Sequence, residues 1–149
     1  MRFVFDSSAL LNIIRVLGAN ALGYLRGNYV LTLTLYEVGN ALWKETTLLK
    51  RITAEEATTL LGLIGNTCRV LNIVAPKDPL KALKLACALK ITYYDSAYVT
   101  VAYERNATLV TDDRELRGKI LENEETVVKV LGGKVNVIST NELVKKVKT

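Results

Sequence analysis

The fold is indicated first by RFVFDSSAL, residues 2–10. Its opening residues are largely aromatic or β-branched, which favours a strand, and the polar run Asp6-Ser7-Ser8 is typical of a turn that leads into a helix. The apolar residues 9–17 have helical length, and Gly18 is a suitable residue to end that helix. This stretch therefore predicts a strand, an acid at the end of the strand, and then a helix.

The same alternation continues along the rest of the chain. Further strands or extended segments are predicted at residues 29–34, 68–74, 108–111 and 135–138, and helices at 21–26, 36–49, 53–67, 80–90, from 95 onwards, 113–121 and after 138. Strands that alternate with helices imply a parallel sheet covered on both faces. We expect an α/β fold with a central, mostly parallel sheet of about four to five strands flanked by helices, in a single domain over residues 1–149.

The composition excludes several kinds of chemistry. The chain has 149 residues and no histidine, which excludes Ser-His-Asp and Cys-His catalysis and histidine-bound zinc. Its two cysteines, Cys68 and Cys87, have no neighbouring ligand cluster and are expected to be free thiols. Acid–base or metal chemistry must therefore use mainly carboxylates.

Polar residues interrupt the apolar stretches of the sequence. No uninterrupted apolar run approaches the ~18–20 residues that a membrane-spanning helix needs. Near the N-terminus, Asp6, Asn12 and Arg15 break the run that a signal peptide would require. We expect no membrane association and a cytoplasmic location.

The formal net charge of +5 is compatible with a polyanionic partner. If four of the acids converge in one pocket, the rest of the molecule carries +9. Basic side chains that could contact the phosphates of such a partner are Arg15, Lys44, Arg114 and Arg117, although an ordinary solvated charge is an alternative for each.

Three acids follow predicted strands. Asp6 follows the first strand, Glu37 the second, and Asp113 the strand that ends at Thr111. Because ligands of open α/β sheets bind outside the carboxyl ends of the strands, these acids are expected at one edge of the sheet. Asp95 heads a predicted helix, on the same face as Tyr98, and could join them.

Four converging carboxylates repel each other by several kcal/mol per close pair at an effective dielectric of ~20. Such a cluster persists only with bound cations or with raised pKa values. Hard oxygen ligands in this number suit Mg²⁺ or Mn²⁺, which could support hydrolysis of a phosphodiester without histidine.

Each acid also has a purely structural interpretation. Asp6 and Asp95 can be ordinary helix N-caps, Glu37 can be a first-turn acid favoured by the helix dipole, and Asp113 can be a surface charge beside Asp112. Taken together, in a chain without histidine, the four acids favour a shared site.

Four motifs in order resemble those of PIN-domain ribonucleases, and in particular the VapC toxins of prokaryotic toxin–antitoxin pairs. They are FDSSAL at residues 5–10, EVGNAL at 37–42, YDSAY at 94–98 and LVTDDREL at 109–116. The resemblance covers nearly the whole chain and implies a PIN-like three-layer fold.

The resemblance also implies a metal site formed by Asp6, Glu37, Asp95 and Asp113, with Thr111 as a supporting hydroxyl. The family pattern of threonine, any residue and aspartate selects Asp113 over Asp112, which is left with a supporting role. The implied activity is that of a Mg²⁺- or Mn²⁺-dependent endoribonuclease that leaves a 3′-hydroxyl and a 5′-phosphate. The implied partners are an RNA substrate, a second copy in a homodimer, and a cognate VapB-like antitoxin.

Other classes of protein fit the sequence less well. A phosphoacceptor receiver domain needs an acidic pair after its first strand, and a haloacid-dehalogenase-type phosphatase needs Asp-x-Asp there, whereas this chain has Asp6-Ser7-Ser8. An rRNA- or tRNA-processing nuclease could use the same four acids. A non-catalytic RNA-binding or adaptor module is the remaining alternative, although such a module has no need for four repelling carboxylates.

Overall fold

Five parallel strands form the central sheet of the computed structural model, which describes residues 1–148. In chain order the strands are β1 (Phe3–Phe5), β2 (Tyr29–Leu31), β3 (Asn72–Val74), β4 (Thr108–Val110) and β5 (Val137–Ile138). Their order across the sheet is β3-β2-β1-β4-β5, and every adjacent pair is parallel. The α/β class and the number and direction of the strands are therefore confirmed.

Helices connect the strands. They are α1 (Ser7–Leu17), α2 (Leu22–Leu25), α3 (Thr34–Trp43), α4 (Ala54–Thr67), α5 (Pro79–Leu89), α6 (Tyr93–Glu104), α7 (Arg114–Glu122), α8 (Glu124–Leu131) and α9 (Thr140–Lys148). Short 3₁₀ turns lie at Gly18–Ala21 and Cys68–Val70, and a π turn lies at Lys44–Leu48. Gly18 ends α1 with a φ of 54°, as predicted for this position.

The sheet separates two hydrophobic cores, which makes three layers. Because side chains alternate along a strand, Phe3 and Phe5 of β1 face one core while Val4 faces the other. The first core contains apolar residues of α1, α3, α4 and α9, and the second contains those of α5, α6, α7 and α8. The expected covering of both faces by helices is confirmed.

Several predicted boundaries differ from the observed ones. The second strand ends at Leu31 rather than at residue 34, because the hydroxyl of Thr34 accepts a hydrogen bond from the Leu31 amide and α3 begins at that threonine. Residues 68–70 form a 3₁₀ turn before β3. The expected extended segment at 68–74 is thus only half strand.

The sequence analysis did not predict α8. Its stretch EETVVKVL, residues 124–131, contains three valines and a threonine, whose β-branched side chains lower helix propensity. Val127 and Leu131, four positions apart, are buried in the second core. Packing against the sheet therefore outweighs the local preference.

One stretch, Ser7–Leu25, is long and apolar enough to cross a membrane by length and composition alone, contrary to the expectation from its polar interruptions. It spans α1, the following 3₁₀ turn and α2. Within the fold, Leu10 and Ile13 are fully buried in the first core. Packing in the first core therefore accounts for part of the apolar character of this stretch, whereas Val16 is exposed.

Candidate active site

The carboxyl ends of β1, β2 and β4 lie at one edge of the sheet, because the strands are parallel. The centre of this edge is the boundary between β1 and β4. From β1 the chain proceeds to β2 and β3 on one side, and it crosses to β4 on the other. Such a switch point is where open α/β sheets form their binding crevices. Asp6 and the run Thr111-Asp112-Asp113 follow these two strands directly.

Asp6 is buried at the end of β1 and is the N-cap of α1. One of its carboxylate oxygens accepts hydrogen bonds from the Ser8 hydroxyl at 2.7 Å and from the Ala9 amide at 2.9 Å. The Thr111 hydroxyl is a further partner. Burial nevertheless raises the pKa of Asp6 to about 6. Asp6 can therefore both cap α1 and take part in the candidate site.

Asp113 follows β4 and is the N-cap of α7. Its Oδ1 accepts a hydrogen bond from the Leu116 amide at 3.1 Å, and its own amide donates to Thr111 Oγ1 at 3.1 Å. Thr111 is fully buried. Its hydroxyl contacts both Asp6 and the Asp113 amide, and it therefore links the two acids. The supporting position expected for the Thr111 hydroxyl agrees with these contacts.

Asp112 has a different set of contacts. Its carboxylate accepts hydrogen bonds from Asn12 Nδ2 at 2.8 Å, from the Thr140 amide at 2.8 Å and from the Thr140 hydroxyl at 2.7 Å. These contacts join the end of β4 to α1 and α9. The carboxylate of Asp112 thus stabilises the packing of these elements. The carboxylate of Asp113 accepts one hydrogen bond from an amide and lies at the exposed surface.

Glu37 lies in the first turn of α3 and is half-buried. Its Oε1 accepts a hydrogen bond from the Tyr98 hydroxyl at 2.7 Å, and that hydroxyl lies 2.8 Å from Thr34 Oγ1. Burial raises the pKa of Glu37, the Tyr98 hydrogen bond lowers it, and the charge of Asp95 raises it further. The charge of Asp95 therefore contributes to the raised pKa of Glu37.

Asp95 is the third residue of α6 and does not start the helix, which corrects the prediction. The N-cap is Thr92, whose hydroxyl accepts a hydrogen bond from the Asp95 amide at 3.1 Å. Burial raises the pKa of Asp95, as do the charges of Asp113 and Glu115. Because Thr92 is the cap, the N-cap interpretation of Asp95 is wrong.

These interactions connect the four predicted acids in one series along the sheet edge. Asp95 interacts electrostatically with Glu37 on one side and with Asp113 on the other. Asp113 is joined to Asp6 through Thr111. Among residues 1–148, however, the structure shows no group of three acidic or cysteine side chains arranged to hold one metal ion.

None of the four acids takes part in the ion pairs that the structure shows within residues 1–148. The two salt bridges of the described residues, Arg15–Glu45 and Lys134–Glu124, involve none of the four. The oxygen ligands and the raised pKa values of Asp6, Glu37 and Asp95 suit a hard divalent cation, which would stabilise their ionised forms. By the chemistry of their donor atoms the four acids fit Mg²⁺ or Mn²⁺, whereas no three of them, within residues 1–148, are arranged to hold one ion.

The predicted phosphate contacts differ from one another in their surroundings. Arg15 donates to both carboxylate oxygens of Glu45, so its charge is compensated. Arg117 donates to the Thr111 carbonyl at 2.6 Å, which places it beside the candidate site. Lys44 and Arg114 are exposed.

Sequence reasoning missed three contributors. The sequence puts Tyr98 on the same helix face as Asp95 but does not indicate a role for it. Ser8 and Glu115 belong to the quoted motifs, which likewise indicate no role for them. The spacing of Tyr98 from Asp95 was the available signal. Its contact with Glu37 joins residues 61 positions apart, which local spacing does not reveal.

Comparison with known proteins identifies the family of the chain. The PIN domain family model matches residues 3–119. The chain is 40% identical over 90 residues to exonuclease VapC9 of Pyrobaculum aerophilum, a match that covers 60% of this chain and 65% of that protein. It is 35% identical over 94 residues to ribonuclease VapC3 of the same organism, covering 61% of this chain and 70% of that protein. The chain therefore spans about two thirds of the length of these relatives.

A solved structure shares the fold. The crystal structure of PAE2754 from Pyrobaculum aerophilum superposes with a TM-score of 0.76, covering 99% of this chain and 96% of that one at 23% identity. The resemblance drawn from the four sequence motifs is confirmed by the family model and by the VapC relatives. The chain belongs to the PIN domain family.

Proposed function

We propose that the protein is a Mg²⁺- or Mn²⁺-dependent endoribonuclease and the toxin of a VapBC-type pair. One observation carries the proposal: Asp95 interacts electrostatically with Glu37 and with Asp113 at the sheet edge where Asp6 also lies, and neither observed salt bridge includes any of these acids. The nuclease names of the two VapC relatives support the reaction class.

In this proposal Asp6, Glu37, Asp95 and Asp113 hold one or two divalent ions. When bound, such ions supply Lewis-acid activation of the phosphodiester and of the attacking water. Thr111 and Ser8 orient the carboxylate of Asp6. The helix caps at Thr92 and Asp113 fix the first turns of α6 and α7, on which Asp95 and Asp113 lie. Exposed Lys44 and Arg114 contact RNA phosphates.

We also propose that residues 1–149 form one PIN-like domain. Strand β5 and helix α9 lie beyond the part matched by the family model, yet β5 pairs with β4, and Thr140 at the start of α9 donates two hydrogen bonds to Asp112. Both elements therefore complete the same sheet and core. Thr149 lies outside the described residues.

A homodimer, a VapB-like antitoxin and a cytoplasmic location complete the proposal. Trp43, Leu48, Leu49 and Leu63 are each about half exposed or more, and we propose that they form a contiguous apolar patch of the kind that marks an interaction surface. Light scattering on the purified protein tests the dimer, and Trp43→Ser should shift the mass toward that of a monomer.

An rRNA- or tRNA-processing nuclease is the second candidate, because the same four acids would serve it. The exonuclease name of one relative raises a separate question, namely whether cleavage needs a free RNA end. A circular single-stranded RNA and its linear form distinguish the two modes, because an exonuclease cannot begin on a circle.

The experiment incubates both RNAs with the protein and Mn²⁺, with excess EDTA, and with Asp95→Asn. We expect the circle to be opened with a 5′-phosphate product, and both EDTA and the variant to abolish cleavage. Cleavage of the linear form alone would replace the endonuclease by an exonuclease. If neither RNA is cut by folded protein with Mn²⁺ or, in a parallel incubation, with Mg²⁺, the non-catalytic RNA-binding module takes the place of the nuclease.

A further inference from the structure

A buried chain of hydrogen bonds leads from the sheet to Glu37. The Leu31 amide at the end of β2 donates to Thr34 Oγ1 at 2.9 Å. Thr34 Oγ1 lies 2.8 Å from the Tyr98 hydroxyl, which donates to Glu37 Oε1 at 2.7 Å. Thr34 and Tyr98 are almost completely buried, with exposures of 0% and 1%.

The number of available protons determines which atom donates in each of these hydrogen bonds. A tyrosine hydroxyl has one proton, and that of Tyr98 is used in the bond to Glu37. The bond between Thr34 and Tyr98 must therefore be donated by Thr34, whose oxygen accepts from the Leu31 amide. Every donor in the chain points toward the carboxylate, and successive hydrogen bonds of one polarity strengthen each other.

This series of hydrogen bonds ends at one carboxylate oxygen of Glu37. The Tyr98 hydrogen bond occupies Oε1 and leaves Oε2 available to a bound ion. Tyr98 lies on α6, three positions after Asp95, and it also interacts electrostatically with Asp6. Tyr98 thus contacts Glu37, interacts electrostatically with Asp6 and shares α6 with Asp95.

We propose that Tyr98 is a positioning residue for the cation site: its hydroxyl, held by Thr34, orients Glu37 so that Oε2 serves as the metal ligand. This inference rests on the proposed metal-dependent function and adds a residue to it. Hydrogen bonds from residues behind the ligands commonly set metal affinity, and their loss typically weakens binding or activity about 10–100-fold.

A purely structural role predicts a different result. On that alternative, Glu37 merely satisfies the buried hydroxyl of Tyr98, and removing the hydroxyl changes stability but not metal binding. Tyr29 offers a matched control: it is another buried tyrosine of the second core, on β2, and its hydroxyl accepts from Arg2 at 3.2 Å.

The test is titration calorimetry of Mn²⁺ into the protein, Tyr98→Phe and Tyr29→Phe at one fixed pH, with RNA cleavage at saturating Mn²⁺ as the second readout. We expect Tyr98→Phe to weaken Mn²⁺ binding at least about tenfold and Tyr29→Phe to leave it unchanged. Thr34→Ser, which keeps the hydroxyl, should retain more affinity than Thr34→Val.

The outcomes separate this inference from the function on which it rests. If the parent protein binds Mn²⁺ and cleaves RNA while Tyr98→Phe binds with equal affinity, the positioning role is overturned and the proposed function stands. If the parent protein binds no divalent cation, both fail. Equal weakening by Tyr98→Phe and Tyr29→Phe would show a general structural effect and would also overturn the inference.

Discussion

At the residue scale, the two acids after β4 illustrate how adjacent carboxylates acquire different roles. Asp112 accepts three hydrogen bonds from Asn12 and Thr140, whereas Asp113 accepts one from the helix that it caps. The family pattern in the sequence already selects Asp113 for the site. It does not predict the structural role of Asp112, because Asn12 and Thr140 lie 100 and 28 positions away.

Asp112→Asn should lower the free energy of unfolding by about 1–3 kcal/mol, since an amide group would face the donors of Asn12 or Thr140 and leave buried groups unpaired. Asp113→Asn is the matched control. It should leave stability nearly unchanged, because asparagine is as good an N-cap as aspartate. Urea unfolding of both variants measures the difference, and equal stabilities would contradict the assignment of Asp112.

Burial of Asp6 makes the stability of the metal-free protein depend on pH. Burial raises the pKa of Asp6 from its ordinary value of 3.8 to about 6 in the folded protein, so the folded state holds the proton more tightly. The stabilisation from this group is fully present below about pH 4 and is lost as the pH rises through 6.

Asp6→Asn removes that dependence and keeps a good N-cap. Relative to the variant, the parent protein should lose on the order of 3 kcal/mol of stability between pH 4 and pH 7 in the absence of metal. Urea unfolding across this range, with EDTA present, provides the measurement. A constant difference between the two proteins would show that Asp6 is not desolvated as described.

At the element scale, helix starts provide much of the candidate site. Asp6 and Asp113 cap α1 and α7, and Glu37 and Asp95 lie in the first turns of α3 and α6. The positions of Asp6, Glu37 and Asp113 could be predicted because each follows a short strand in the sequence, whereas Asp95 lies two residues inside its helix and not at the start as predicted. The helix α8 could not, because its local preference opposes a helix and only contact with the sheet favours it.

Thr92→Ala should destabilise the protein by about 1 kcal/mol, because the Asp95 amide loses the hydroxyl that caps α6. Thr92→Ser keeps the hydroxyl and should preserve most of the stability. Denaturant unfolding of the two variants tests the cap. If serine and alanine are equally destabilising, the methyl group of Thr92 rather than its hydroxyl accounts for the effect.

At the scale of the whole molecule, a net charge of +5 coexists with acids that collect at one edge of the sheet. A basic exterior attracts a polyanion, while the acids require a cation before a phosphate can approach them. The sequence predicts both the positive net charge of the molecule and the negative charge of the candidate site. It does not predict that the ion pair with Glu45 compensates Arg15, because that contact depends on how α1 packs against the π turn.

Arg114→Ala should therefore weaken binding of single-stranded RNA to the metal-free protein more than Arg15→Ala does, because Arg114 is exposed and Arg15 is paired with Glu45. Fluorescence anisotropy at several salt concentrations measures both affinities, and the loss of a phosphate contact should lower the salt dependence for Arg114→Ala. A larger effect of Arg15→Ala would place the RNA on the α1 side of the molecule.

The central claim, that the four acids bind a divalent cation together, is tested most directly by calorimetric titration of Mn²⁺ into the parent protein, Asp95→Asn and Glu125→Gln. Glu125 is an exposed acid at the start of α8 and serves as the control. The account predicts binding that Asp95→Asn abolishes and Glu125→Gln leaves intact. Equal binding by all three proteins, or none by the parent protein, would contradict it.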